Sequence, residues 1–113
     1  MTPDEHKPPA DLTAILNQLW ARFLPEIHER AALLQTVAQA CATGSITPEQ
    51  HEAAHAAAHK LAGSLGTFGL SQGSELAREF ESMCSSDEFC TPTQALRLTA
   101  IAAEIRNIIA ARK

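Results

Sequence analysis

The four-residue pattern Thr-Pro-x-Gln occurs twice in the sequence, at 47–50 and at 91–94. Threonine is a favourable helix N-cap, and proline suits the first helical position because its missing N–H needs no partner there. Glutamine three residues after the threonine completes a capping box. The repeated pattern therefore predicts one helix that begins near Pro48 and another that begins near Pro92.

Apolar residues recur every three or four positions in the rest of the chain, the spacing of helices that bury one face. Asp11 is a candidate N-cap for the first helix, Pro25 is expected to interrupt that helix, and Gly44 is a candidate C-cap. Ser71 is a candidate cap for a third helix. No segment alternates apolar and polar residues as a strand would. We therefore predict an all-α, antiparallel, up-down-up-down four-helix bundle whose first helix is broken at Pro25.

The first residues differ in composition from the rest. Residues 1–10 are polar and include Pro3, Pro8 and Pro9, a composition typical of a linker. We therefore assign 1–10 to a Pro-rich tail or linker and 11–113 to the helical bundle.

The composition argues against several classes of protein. The net charge is −4 without a basic stripe, which speaks against nucleic-acid binding, and no apolar run approaches the roughly 20 residues of a membrane span. Three cysteines are an odd number without metal-ligand spacing, which favours a reducing compartment over a disulfide framework. Cys84 and Cys90 flank a loop and are the candidate pair on oxidation. We expect a cytoplasmic monomer.

His59 lies on the polar side of the helix predicted to follow Pro48. With about 100° per residue, the apolar residues gather within roughly 60° of Leu61, whereas His59 lies about 160° away from it. Its imidazole should therefore be exposed to water. Four of its five neighbours on this face have small or absent side chains, which would let another protein's surface approach the ring; the five are His55, Ala56, Ala62, Gly63 and Gly66.

The segment 57–70, AAHKLAGSLGTFGL, resembles the signature of histidine phosphotransfer (Hpt) domains, including the one found in chemotaxis histidine kinases. The resemblance implies that His59 accepts the phosphoryl group and that Gly63 opens space beside it. The family usually carries lysine three positions after the histidine, where this chain has Ala62. The supporting residues assigned on this basis are Lys60, Ala62, Gly63, Ser64 and Gly66.

The resemblance also implies a function: a reversible phosphoryl carrier between receiver-domain aspartates, or from a histidine kinase, in a two-component phosphorelay. The sequence contains no P-loop and no kinase signature, so the phosphoryl group should come from another protein. We expect no intrinsic cofactor, no metal site and no enzyme activity of its own, with Mg²⁺ held by the partner receiver domain.

Two other interpretations of the same residues stay open. A helical interaction or dimerisation module would use the small-residue face for packing and would have no use for His59. The segment 51–55, HEAAH, matches the H-E-x-x-H pattern of zinc peptidases, with His51 and His55 as ligands and Glu75 as a nominal third. The pattern is short, and the chain offers no substrate-binding strand.

Overall fold

A computed structural model describes residues 10–112. It contains four α-helices: α1 (Ala10–Thr43), α2 (Pro48–Thr67), α3 (Ser71–Cys84) and α4 (Pro92–Ala111). No strand occurs within the described range. No described helix combines the length and the apolar character that a membrane crossing requires.

The helices pack in a closed ring around one core. Helix α1 contacts α2 and α4, and α3 lies between α2 and α4. The connections at 44–47, 68–70 and 85–91 are short, which makes consecutive helices antiparallel. The predicted all-α four-helix bundle is thus confirmed. Its largest fully buried side chains are Phe80, Ile27, Leu34, Leu61, Leu65, Leu98, Ile101, Ile105 and Val37.

Both Thr-Pro-x-Gln segments begin helices, as predicted. The Gln50 N–H donates to Thr47 Oγ1 at 3.1 Å, and the Thr47 N–H donates to Gln50 Oε1 at 2.9 Å, which completes the capping box. At α4 the Gln94 N–H donates to Thr91 Oγ1 at 3.3 Å. The first copy therefore fixes the start of α2, the helix that carries His59.

The other predicted helix ends have mixed outcomes. Gly44 follows α1 with φ of +70°, and the Ser45 N–H donates to the Ala40 carbonyl at 2.9 Å, so the glycine C-cap is confirmed. The cap predicted at Ser71 is wrong, because Ser71 is already helical and Leu70 precedes it without a side-chain cap. The cap predicted at Asp11 is wrong for the same reason, because α1 begins at Ala10 and Asp11 is already helical. Residues 1–9 lie outside the described part of the chain, so the tail stays a prediction.

The predicted break at Pro25 is wrong, because α1 runs through this position as one helix. Proline removes one backbone hydrogen bond and crowds the preceding turn, at a cost of about 3 kcal/mol. Buried residues lie on both sides, with Trp20 before it and Ile27 after it. Their burial in the core stabilises the helix before and after Pro25, which is itself exposed and accommodated within the helix.

The cysteines also differ from expectation. Cys41 forms a disulfide with Cys90, and their Cα atoms are 4.9 Å apart, whereas Cys84 is a free, buried thiol. The candidate pair Cys84 and Cys90 was therefore wrong. Cys41 lies in the last turn of α1, beside the α3–α4 connection, a proximity that arises only when the bundle forms.

Candidate functional site

His59 projects from the middle of α2 into solvent. Its side chain is 73% exposed, as the helical wheel predicts. Leu61 and Leu65, on the opposite side of α2, are completely buried. The core therefore fixes the rotation of α2, and this rotation presents the imidazole at the surface.

Glu81 on α3 forms a hydrogen bond with one nitrogen of the His59 ring. His59 Nδ1 and Glu81 Oε2 are 2.9 Å apart, and the Glu81 side chain is only 24% exposed. The sequence interpretation missed Glu81, which lies 22 residues from His59. The sequence does place Glu81 at the edge of the apolar stripe of α3, four residues after buried Ala77 and next to buried Phe80. This position could have indicated that Glu81 lies near a neighbouring helix.

The side of α2 that faces α3 is closely packed. Ala62 is 4% exposed, and its carbonyl accepts a hydrogen bond from the buried Ser74 hydroxyl at 2.7 Å. A Cβ added at Gly66 would lie 3.3 Å from Ser74 Oγ. The placement of Ala62 on the exposed face was therefore wrong, because α3 covers this edge of the helix. The close approach of α3 explains why a glycine occupies position 66.

The other side of α2 borders an open groove against α1. The groove has a volume of about 490 Å³. Three predicted supporting residues, Lys60, Gly63 and Ser64, line it, so the structure separates them from Ala62 and Gly66. The remaining lining residues are Phe23, Glu26, Arg30, Thr67 and Phe68.

Gly63 differs from Gly66 in its surroundings. A Cβ added at Gly63 would meet no atom within 4 Å. Glycine inside a helix costs up to about 1 kcal/mol relative to alanine, and packing within the described chain does not require it here. Gly63 therefore leaves a bare stretch of backbone one turn after His59, at the edge of the groove.

The two histidines of the H-E-x-x-H segment contact α3 and the loop after it. The His51 Nε2–H donates to the Cys84 carbonyl at 2.6 Å, and His55 Nε2 lies 3.2 Å from the Ser85 hydroxyl. Both side chains are half-buried. Between residues 10 and 112, no group of three His, Cys, Asp or Glu side chains is placed to hold a metal ion.

Comparison with known proteins identifies a family for this chain. The family model described as Hpt domain matches residues 18–112. Protein RcaC of Microchaete diplosiphon is 35% identical over 82 residues, which cover 73% of this chain and 13% of RcaC. No solved structure matches the chain. Since the family model covers most of the chain and the fold is a four-helix bundle, the chain belongs to the Hpt domain family, phosphorelay carrier modules that interact with receiver domains and histidine kinases.

Proposed function

We propose that His59 is the residue on which this domain carries a phosphoryl group. The observation that supports the proposal best is the geometry of its ring, which is exposed at the surface while Nδ1 is bound to Glu81 at 2.9 Å. A packed helix holds the ring at a fixed angle, so little ordering is needed when a donor docks.

The contact with Glu81 selects the tautomer of His59. A carboxylate only accepts hydrogen bonds, so Nδ1 must carry the proton that it donates to Glu81 Oε2. In a neutral imidazole the other nitrogen, Nε2, then holds the free lone pair. Glu81 is a positioning residue in this proposal, because it acts through the ring and not on phosphorus.

Phosphotransfer then needs one in-line displacement. Nε2 attacks the phosphorus of a receiver's aspartyl phosphate, an N–P bond forms, and the bond from phosphorus to the aspartate oxygen breaks, which releases the aspartate as a carboxylate. Nδ1 keeps its proton, so the ring becomes positively charged beside the negative Glu81 carboxylate. The same contact thus stabilises the charge that develops on the ring. The reverse displacement returns the phosphoryl group to an aspartate.

The α1–α2 groove is the surface that we assign to the docked receiver. Phe23 and Phe68 contribute apolar surface, and Lys60 and Arg30 contribute positive charge. Arg30 Nη2 lies 3.8 Å from Glu26 Oε2, too far for a strong ion pair. Two cations in this groove suit a partner whose phosphorylation pocket is acidic, although neither stands where the family usually has its lysine.

Charge on the transferring phosphoryl group must be offset mainly by the partner. In the described range, Glu81 is the carboxylate that contacts His59, and no group of three His, Cys, Asp or Glu side chains is placed to hold a metal ion. In this proposal Mg²⁺ is therefore held by the receiver domain, and this domain acts as a monomer that supplies the nucleophile.

Transfer from phosphorylated receivers to the purified chain tests the proposal. A panel of receivers, each charged with radiolabelled phosphate by its kinase, is mixed with the wild type, with His59→Gln and with His55→Gln. We expect acid-labile label on the wild type and on His55→Gln, whose changed residue lies one turn earlier on the same helix, and none on His59→Gln. Label on His59→Gln equal to that on the wild type would refute the assignment.

A further inference from the structure

The Cys41–Cys90 bridge joins two parts of the bundle that are distant in sequence. The cysteines are 49 residues apart, and the closed loop contains the whole of α2 and α3. Their Cα separation of 4.9 Å lies within the usual range for disulfides. The bridge therefore ties the end of α1 to the α3–α4 connection and encloses both helices that carry His59 and Glu81.

We propose that Cys41 and Cys90 form a reversible thiol–disulfide exchange site for low-molecular-weight thiols. In reduction, the sulfur of a thiolate attacks Cys90 Sγ and forms a mixed disulfide, while Cys41 Sγ leaves as a thiolate and takes a proton. A second thiol attacks the small-molecule sulfur of the mixed disulfide and releases Cys90. Two thiols thus supply two electrons and two protons and become one disulfide. Oxidation by a small disulfide such as oxidised glutathione is the reverse.

The burial of the two cysteines decides which sulfur is attacked. Cys41 is only 6% exposed, whereas Cys90 is half-buried in the connection before α4. Both line a cavity of about 340 Å³ that is also bordered by Leu96, which is 76% exposed. A small thiol can enter this cavity and reach Cys90 first, so the mixed disulfide forms on Cys90.

The third cysteine does not compete for exchange. Cys84 is buried, and burial raises the pKa of its thiol to about 11, with a further contribution from the charge of Glu81. The thiolate is the reactive form. Cys84 therefore stays a thiol at neutral pH, and exchange is confined to Cys41 and Cys90.

The α3–α4 connection keeps other attachments when the bridge opens. The ring of Phe89 stacks on His51 with centroids 4.2 Å apart, and His51 donates to the Cys84 carbonyl. Cys90 itself has φ of +72°, a conformation that residues other than glycine seldom adopt. Reduction should therefore loosen the connection around Cys90 and lower the stability of the domain without unfolding it.

The experiment compares the full chain after treatment with oxidised glutathione and after treatment with dithiothreitol. Thiol titration in denaturant should find one reactive thiol after oxidation and all three after reduction. Because the bridge closes a long loop, the reduced protein should melt about 15 °C lower than the oxidised protein. Cys41→Ser and Cys90→Ser should melt like reduced wild type under both conditions, whereas Cys84→Ser should keep the response to redox treatment.

Two results would overturn the proposal. One is three reactive thiols, or an unchanged melting temperature, in wild type treated with oxidised glutathione. The other comes from peptide mapping of reactions with reduced glutathione that are stopped early by alkylation: glutathione on Cys41 or Cys84 and not on Cys90 would contradict the proposed order of attack. Neither readout involves transfer to His59, so this proposal and the phosphotransfer proposal can fail independently.

Discussion

The two sides of α2 that flank His59 differ in how much of their surface the rest of the chain covers. On the α3 side, Ala62 is buried, Gly66 lies against Ser74, and Glu81 binds the imidazole. On the α1 side, Gly63 borders an open groove and a Cβ there would touch nothing. One side holds the ring, and the other leaves room for a second protein.

The comparison separates two reasons for a glycine inside one helix. Both Gly63 and Gly66 cost helix stability, and the sequence alone suggests one explanation for both, the approach of a partner. The structure assigns Gly66 to the contact between α2 and α3 through Ser74. Gly63 has no such contact within the described residues, so the proposed approach of a partner applies to Gly63 alone.

The largest effect is expected from removing the contact that holds the ring. Glu81→Ala should slow single-turnover transfer from a phosphorylated receiver by about tenfold to a hundredfold, because the ring loses its fixed orientation and its preferred tautomer. Glu81→Gln should transfer at a rate between those of wild type and Glu81→Ala, since an amide oxygen still accepts the Nδ1–H but carries no charge to stabilise the positive ring. Glu75→Ala is the matched control, because it removes an exposed carboxylate from the same helix.

A second readout distinguishes orientation of the ring from general damage to the fold. The ¹⁵N chemical shifts of the His59 ring report which nitrogen carries the proton. Wild type and Glu81→Gln should show the Nδ1–H form, and Glu81→Ala should show a mixture of both. Unchanged shifts together with wild-type transfer in Glu81→Ala would mean that Glu81 has no positioning role.

An intermediate effect is expected from the two glycines. Gly63→Ala should raise the free energy of unfolding by about 0.5–1 kcal/mol, because alanine favours the helix and its Cβ meets no neighbour. Gly66→Ala gains the same helix propensity. Its Cβ, however, would press on Ser74 Oγ, which is 3.3 Å away, and disturb the hydrogen bond from the Ser74 hydroxyl to the Ala62 carbonyl. Urea unfolding should therefore show little gain, or a loss, for Gly66→Ala.

A double-mutant cycle tests whether Ser74 is the cause. In a Ser74→Ala background the Oγ atom is absent, so Gly66→Ala should recover most of the stabilisation seen for Gly63→Ala. The pair Gly63→Ala and Ser74→Ala should instead be additive. Equal stabilisation by both glycine substitutions in the wild-type background would show that the two sides of α2 do not differ in this respect.

Local chemistry explains which features could be predicted from the sequence. The helix starts at Pro48 and Pro92 depend on residues within one turn, and the exposure of His59 depends on the apolar stripe of its own helix. Pro25 also has a clear local meaning, but packing of both halves of α1 on the bundle outweighs it.

The remaining features depend on how the helices pack together. Glu81 and His59 lie on different helices, and the bridge from Cys41 to Cys90 joins residues 49 positions apart. Ala62 lies about 100° from Leu61 on the wheel, at the edge of the buried face, and whether that edge is covered depends on the position of α3. The periodicity of one helix indicates which face is buried, but not which residue of another helix lies against it.

The smallest effect is expected from a contact between α3 and its second neighbour, α4. The Arg97 guanidinium donates two hydrogen bonds to the Glu79 carboxylate, both 2.6 Å long, and both side chains are partly exposed. The hydrogen bond from Arg97 lowers the pKa of Glu79 from its ordinary value of 4.5. The folded state therefore favours the ionised form of Glu79. The resulting stabilisation of the fold is complete above about pH 4.5 and is lost as the pH falls through the lower pKa of Glu79 in the folded state.

Solvent screening keeps the size of this contribution small. Glu79→Gln should lower the free energy of unfolding by less than about 1 kcal/mol at neutral pH. The difference in the free energy of unfolding between wild type and Glu79→Gln should shrink as the pH falls below 4.5. Glu79 then becomes protonated and neutral, like the glutamine that replaces it. Using this difference removes the contribution of the other acidic residues, which titrate in both proteins. A difference that stays constant, or grows, toward acidic pH would show that Glu79 stabilises the α3–α4 contact by packing and not by its charge.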